Sequence, residues 1–176
     1  MRIPALTVFL PMPTQSNALS WLLLSAIILI ADQVTKHIVL DHLQLHETIA
    51  VIPGLLNWTL AYNEGAAFSF LADASGWQRW FFTVLAIVVS GVLVVWLSRT
   101  PRSDWRTALP LALVLAGAIG NVIDRIRFGH VVDFVDVYWG AAHFPAFNVA
   151  DSAISVGAVL LIVFSLFGGK ATVAAR

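Results

Sequence analysis

Four long apolar runs, separated by segments rich in charge and turn formers, organise the chain. They extend from about Leu19 to Leu40, Trp77 to Leu97, Thr107 to Ile123 and Asn148 to Phe167, each close to the roughly 20 residues a helix needs to cross a bilayer. The third is the shortest, and its end is open, because "GAIGNVIDRIRFGH" turns polar while keeping helical character. Between the first two runs, "ETIAVIPGLLNWTLAYN" holds two β-like stretches around a Pro53-Gly54 turn. In the second stretch Leu56, Trp58, Leu60 and Tyr62 alternate with Asn57, Thr59, Ala61 and Asn63, the period of a strand. "GHVVDFVDVYW" is a third such stretch, with Val131, Asp133 and Val135 on one face and Val132, Phe134 and Asp136 on the other. "NEGAAFSFLAD" reads either as a short interfacial helix turning Phe68, Phe70 and Leu71 to lipid or as an ordinary packed loop. The pattern predicts a membrane protein of four transmembrane helices with a small sheet on one face, occupying residues 18–168 between tails 1–17 and 169–176.

Composition strengthens this reading. The chain is 59% hydrophobic and 11% charged, with a mean hydropathy of +0.85, whereas about a quarter of a soluble domain is charged. A net charge of zero, with Lys and Arg scattered, argues against nucleic acid as a partner. With no cysteine, disulfides, thiol nucleophiles and cysteine-bound metals are excluded.

Charge also orients the spans. "SRTPRSDWR" sets Arg99, Arg102 and Arg106 against Asp104, so by the positive-inside rule it is cytoplasmic. Both termini then lie inside, where Arg2, Lys170 and Arg176 agree, and the segments Asp41 to Gly76 and Arg125 to Phe147 lie outside. Trp21, Trp77, Trp80, Trp96 and Trp105 fall near span ends, as an aromatic belt requires. In "MRIPALTVFLPMPTQSN", Pro4, Pro11 and Pro13 interrupt any signal-peptide core. It reads as an inner tail, with Met12 as an alternative start.

Ionisable residues near the ends of apolar spans require a reason, since a charge at mid-bilayer costs about 2.5–3.5 kcal/mol on insertion scales. Asp32 and Lys36 are four apart and share a helix face, as an ion pair would. "GNVIDR" groups Asn121, Asp124 and Arg125 in one turn, and "FNVADS" sets Asn148 three before Asp151. The second pair suits a helix cap, the first a polar span end, and both suit a site. Two nearby carboxylates share one proton, so that one acts as base towards water and the other as acid, with no metal or nucleophilic side chain. Asp124, Asp133, Asp136 and Asp151 are all candidates. Ser152 reads as a first-turn helix residue. His42 and His46 have ligand-like spacing, but "HLQLHE" lacks the intervening Glu of a zinc protease and a third ligand.

"DQVTK", "YNEGAAFSF", "GNVIDR", "GHVVDF" and "FNVADS", in this order across four spans, resemble the bacterial lipoprotein signal peptidases, the signal peptidase II family. The resemblance runs from about Leu19 to Phe167. It implies an all-α membrane fold of four helices with an extracytoplasmic β-cradle and a surface helix, in the bacterial inner membrane. The implied activity is an aspartyl endopeptidase that cuts diacylglyceryl-modified prolipoproteins before the lipidated cysteine, without cofactor or metal. The partners implied are that substrate and membrane lipids, and a monomer is expected. The family's dyad maps onto Asp133 and Asp151, and its other motif polar residues onto Asp32, Lys36, Asn63, Asn121, Asp124, Arg125 and Asn148. Of these, Asn63 and Arg125 are expected to hold substrate carbonyls. One alternative is a small proton-coupled transporter or channel component. It predicts polar residues at mid-membrane on several spans, whereas the centres of spans two to four carry no charge. A second is a non-enzymatic assembly or lipid-binding protein, which leaves the recurring Asn-x-x-Asp unexplained.

Overall fold

The computed structural model describes residues 16–65 and 76–167. The expected interfacial helix, most of the N-terminal tail and the C-terminal tail lie outside the described residues. A short 3-10 turn, Ala18–Trp21, leads directly into α1, Leu22–His42. The remaining helices are α2, Trp77–Arg99, α3, Trp105–Phe128, and α4, Val149–Phe167. All four are long and apolar enough to cross a membrane.

The helices divide their surfaces according to composition. In α3, 61% of the span is buried, against 17% in each of the others, which makes it the central helix. Its buried face is built from small residues, including Ala108, Ala112, Ala116, Gly117 and Gly120, which lets neighbouring backbones approach closely. A Cβ at Gly117 would overlap the carbonyl oxygen of Ala150, and one at Gly157 would lie 2.9 Å from the carbonyl oxygen of Pro110. Helices α3 and α4 therefore meet backbone to backbone. Large apolar residues such as Leu23, Ile27, Ile30, Val84, Val88 and Val159 remain exposed, as a lipid-facing surface requires.

Span three does not stop at Ile123 as its apolar run predicts. It continues to Phe128 and ends at Gly129, whose φ of 90° closes the helix and whose N–H donates to the Arg125 carbonyl. The polar residues after Ile119 stay helical because their side chains find partners inside the protein. Arg125, expected in an outer segment, is thus on the last turn of α3. Ser16 and Asn17, expected in the tail, are instead tied to the α2–α3 loop. The Arg102 N–H donates to the Ser16 carbonyl and the Ala18 N–H to that of Thr100, both at 2.9 Å.

At the opposite end of the bundle lies one antiparallel sheet, ordered β1-β2-β3-β4: Thr48–Ile52, Leu56–Asn63, Val131–Trp139 and Ala142–His143. The alternation predicted for β2 is broken. Trp58 pairs with Val135 but Ala61 with Asp133, so β2 carries an extra residue between these points. The bulge turns Leu60 inward onto Val39, Leu43, Val132 and Phe134. It also sends Asn57 and Asn63, six apart, to opposite faces of the sheet, one to each carboxylate of β3.

Candidate active site

The site is assembled from every layer of the fold. Asp133 is 2% exposed in the middle of β3. Asp151 belongs to the first turn of α4. Asn148, fully buried, caps that helix, with its Oδ1 accepting the N–H of Asp151 at 2.8 Å. Its Nδ2 donates to Asp133 Oδ1 at 2.8 Å and to the Val132 carbonyl at 3.2 Å. The cap and the carboxylate cluster, which the sequence offers as competing readings of Asn148, are one arrangement. One carboxamide spans the two aspartates.

A second carboxamide supports the other side. Asn121 Nδ2 donates to Asp151 Oδ1 at 2.7 Å, while its Oδ1 accepts from Lys36 Nζ at 3.2 Å. The ammonium fixes which end of the amide faces Asp151, because only the oxygen can accept from it. Lys36, 1% exposed, also pairs with Asp32 at 2.9 Å and Asp124 at 2.8 Å, using all three of its donors. Asp32 and Lys36 form the expected ion pair, with Asp124 as a second anion.

Those two carboxylates hold backbone in turn. Asp32 Oδ1 accepts the N–H of Ala150 at 2.9 Å, an amide left open by the start of α4. Gly120 leaves room for this, since a Cβ there would lie 2.6 Å from Asp32 Oδ2. Asp124 Oδ2 accepts the N–H of Val132 at 3.1 Å and so pins the strand one residue before Asp133. Gln33, absent from the sequence expectations, donates to Asp124 Oδ1 at 3.0 Å and Asp32 Oδ2 at 3.2 Å. The signal was an uncharged polar side chain next to Asp32 within an apolar span.

Strand β3 pushes its two carboxyls in opposite directions. Burial first, and then the negative charge of Asp151, push Asp133 up to about 7, against the pull of Asn63 and Asn148 hydrogen bonds and of Lys36. For Asp136, burial raises the pKa, but hydrogen bonds from Asn57 and His143 outweigh it and hold the group below the usual range. Asp136 lies on the other face, 2.8 Å from Asn57 Nδ2 and from His143 Nδ1. It is not brought to the Asn148 cluster.

The other predicted residues fall as follows. Asn63 Nδ2 donates to Asp133 Oδ2 at 3.1 Å and its Oδ1 accepts from the Gly65 N–H. The Arg125 guanidinium lies over the Phe82 ring at 5.6 Å and donates to the Asn121 carbonyl at 3.3 Å, while its buried Nε has no acceptor among the described residues. Ser152 Oγ donates to the Asn148 carbonyl at 2.9 Å, the first-turn role expected of it. His42 Nδ1 bonds the Ile38 carbonyl oxygen at 2.7 Å. Among the described residues no three of His, Cys, Asp and Glu converge on a metal position.

A four-span bundle with buried, amide-held carboxylates at one end is an arrangement suited to a multi-span membrane hydrolase. Residues 24–167 match the family model of signal peptidase II. The chain is 57% identical over 154 residues to the lipoprotein signal peptidase of Xanthomonas campestris pv. campestris strain 8004, covering 88% of this chain and 92% of the relative. With the lipoprotein signal peptidase of Xylella fastidiosa strain M12 the identity is 56% over 158 residues, or 90% and 95% of the two chains. A bacterial membrane enzyme solved in meso at 1.9 Å superposes with a TM-score of 0.76 at 32% identity, covering 89% of this chain and 99% of that one. The chain belongs to the signal peptidase II family and is an aspartic peptidase. The transporter alternative has no support in these likenesses.

Proposed function

We propose that Asp133 and Asp151 are the catalytic pair with which this chain removes the signal peptide of a prolipoprotein, cutting just before its diacylglyceryl-modified cysteine. The observation that carries the reading is Asn148, whose carboxamide binds one aspartate through its side chain and the other through its backbone. With Asp133 raised to about 7, the pair holds one proton near neutral pH, as a dyad needs.

The reaction then balances without any other group. Asp151 takes a proton from water as the water oxygen attacks the scissile carbonyl carbon, and Asp133 gives its proton to the carbonyl oxygen. Collapse of the resulting diol breaks the C–N bond. The proton on Asp151 passes to the leaving nitrogen, and a diol proton returns to Asp133. Lys36, Asn121, Asp124, Asp32 and Asn148 hold the two acids in place. The Arg125 guanidinium, beside Asn121 on the last turn of α3, suits a carbonyl of the extended substrate, which in a low-dielectric groove needs polar partners. Asn63 holds Asp133 with one N–H of its amide and keeps the second N–H for a substrate carbonyl.

The positive-inside rule supports a multi-pass inner-membrane protein with both termini cytoplasmic and the pair near the extracytoplasmic face. There the substrate's signal helix ends while its acyl chains remain in lipid.

The test is cleavage of a purified diacylglyceryl prolipoprotein in detergent by wild type, Asp133→Asn and Asp151→Asn, with chelator in a parallel reaction. The expected result is chelator-insensitive cleavage by wild type and a loss of at least about 100-fold in each folded variant. Substantial cleavage by either folded variant overturns the pair.

A further inference from the structure

Far from the carboxylates, at the other end of the bundle, Arg102 stands between two recesses of different character. One, of about 450 Å³, is lined by Ser16, Pro101, Arg102 and Ser103. The other, of about 500 Å³, is lined by Ser20, Trp21, Leu23, Leu24, Ile27 and Arg102. The first offers hydroxyls and a cation. The second starts at Ser20 in the 3-10 turn and runs down α1 along Leu23, Leu24 and Ile27, one face of a helix, with Leu23 70% and Ile27 56% exposed. Backbone hydrogen bonds of residues 16 and 18 to the α2–α3 loop join the walls of the two recesses. The carboxylate of Asp104, the acid nearest in sequence, is taken by the Thr107 N–H at 3.2 Å as the cap of α3. No hydrogen bond or ion pair engages the Arg102 guanidinium among the described residues.

We propose that these recesses form a site for one anionic glycerophospholipid of the adjoining leaflet. Its phosphate sits on Arg102 beside Ser16 and Ser103, and an acyl chain follows Leu23, Leu24 and Ile27. Trp21 stands at the level of the glycerol, where an indole has an apolar body and a polar edge. The cation shared by a polar and an apolar recess selects an amphiphile with a negative head over a neutral or zwitterionic one. The site is separate from the carboxylate cluster and stands whether or not the catalytic proposal does.

Native mass spectrometry of the full chain, titrated with phosphatidylglycerol or phosphatidylcholine of identical acyl chains, tests it. Wild type is expected to retain a single phosphatidylglycerol about fivefold more tightly than phosphatidylcholine. Arg102→Gln should bring the two lipids to parity, and Ile27→Trp, which fills the groove, should weaken both. Arg99→Gln and Arg106→Gln should leave the preference intact, and peptide cleavage in detergent should be unchanged by Arg102→Gln. Parity in wild type overturns the site, as does a preference that survives Arg102→Gln. Equal losses from all three arginine variants also overturn it, because they point to diffuse surface charge.

Discussion

Asn121 on α3 reaches Asp151 on α4 with a 2.7 Å hydrogen bond, across thirty positions of sequence. Its remaining acceptor is occupied by the Lys36 ammonium, so the geometry of one helix start depends on a lysine from the first span.

Replacing Asn121 by Ala should therefore lower kcat by about 10- to 100-fold, because general acid–base catalysis by a positioned group is worth about 100- to 10,000-fold and Asp151 itself remains. KM for the prolipoprotein should change little. Steady-state kinetics on the purified variant, with thermal unfolding as a check on folding, measure both. A rise in KM at constant kcat would place Asn121 in substrate binding instead.

Asp133, raised to about 7 by burial and by Asp151, should set an alkaline limit on activity if it is the proposed acid. Above that pH the pair loses its shared proton, and kcat/KM should fall about tenfold per pH unit where chemistry limits the rate. The Asn63 hydrogen bond pulls this pKa down, so Asn63→Ala should move the alkaline limb to higher pH. A limb displaced to lower pH would contradict the assignment.

The same shift reaches stability. An unfolded aspartate titrates near about 3.9, so between that value and about 7 the folded state keeps a proton that the unfolded state releases. Stability should be full below this window and decline as pH rises through it. Asp133→Asn should flatten the decline. Unfolding in detergent at a series of pH values compares the two slopes.

Lys36 lies between Asp32 and Asp124 with 1% of its side chain exposed. Lys36→Met leaves two buried anions facing each other and should cost about 3–5 kcal/mol. The combination with Asp124→Asn should recover part of that loss. Denaturant or thermal unfolding of the single and double variants reads the coupling.

At Gly117, an added methyl group meets the Ala150 carbonyl. Gly117→Ala should destabilise the protein by about 1–3 kcal/mol, as overpacking does, and should reduce activity through Asp151, the next residue along α4. Thermal unfolding together with the cleavage assay checks both effects. An unchanged variant would show that the helices separate without penalty.

Much of this arrangement was legible from residues alone, because lipid imposes a simple demand: long apolar runs mark spans, and period-two alternation marks strands. The apolar run ends at Ile123 but leaves the end of the helix open, because the residues after it are polar and still helical in pattern. Asn121 and Asp124 stay helical by facing protein partners, which a one-dimensional pattern does not contain. The bulge in β2 was hidden for a related reason. Alternation records which side chains are apolar, whereas the extra residue between Trp58 and Ala61 is set by pairing with β3. Spacing left four aspartates as rivals. What separates them is contact that spacing does not show, with Lys36 and Gln33 on Asp124, and Asn57 and His143 on Asp136. Asn148 connects the remaining two.

The double duty of Asn148 has a consequence for how the protein is made. Asp133 emerges from the ribosome before the final span, but its partner arrives only when α4 begins to wind, and the residue that starts that winding is also the one that grips Asp133. On the proposed pairing, a nascent chain with three spans inserted holds Asp133 without Asp151. Completion of the last helix is then the step expected to bring the two acids together, so that cleavage by the proposed pair would begin only once the whole bundle is in the bilayer.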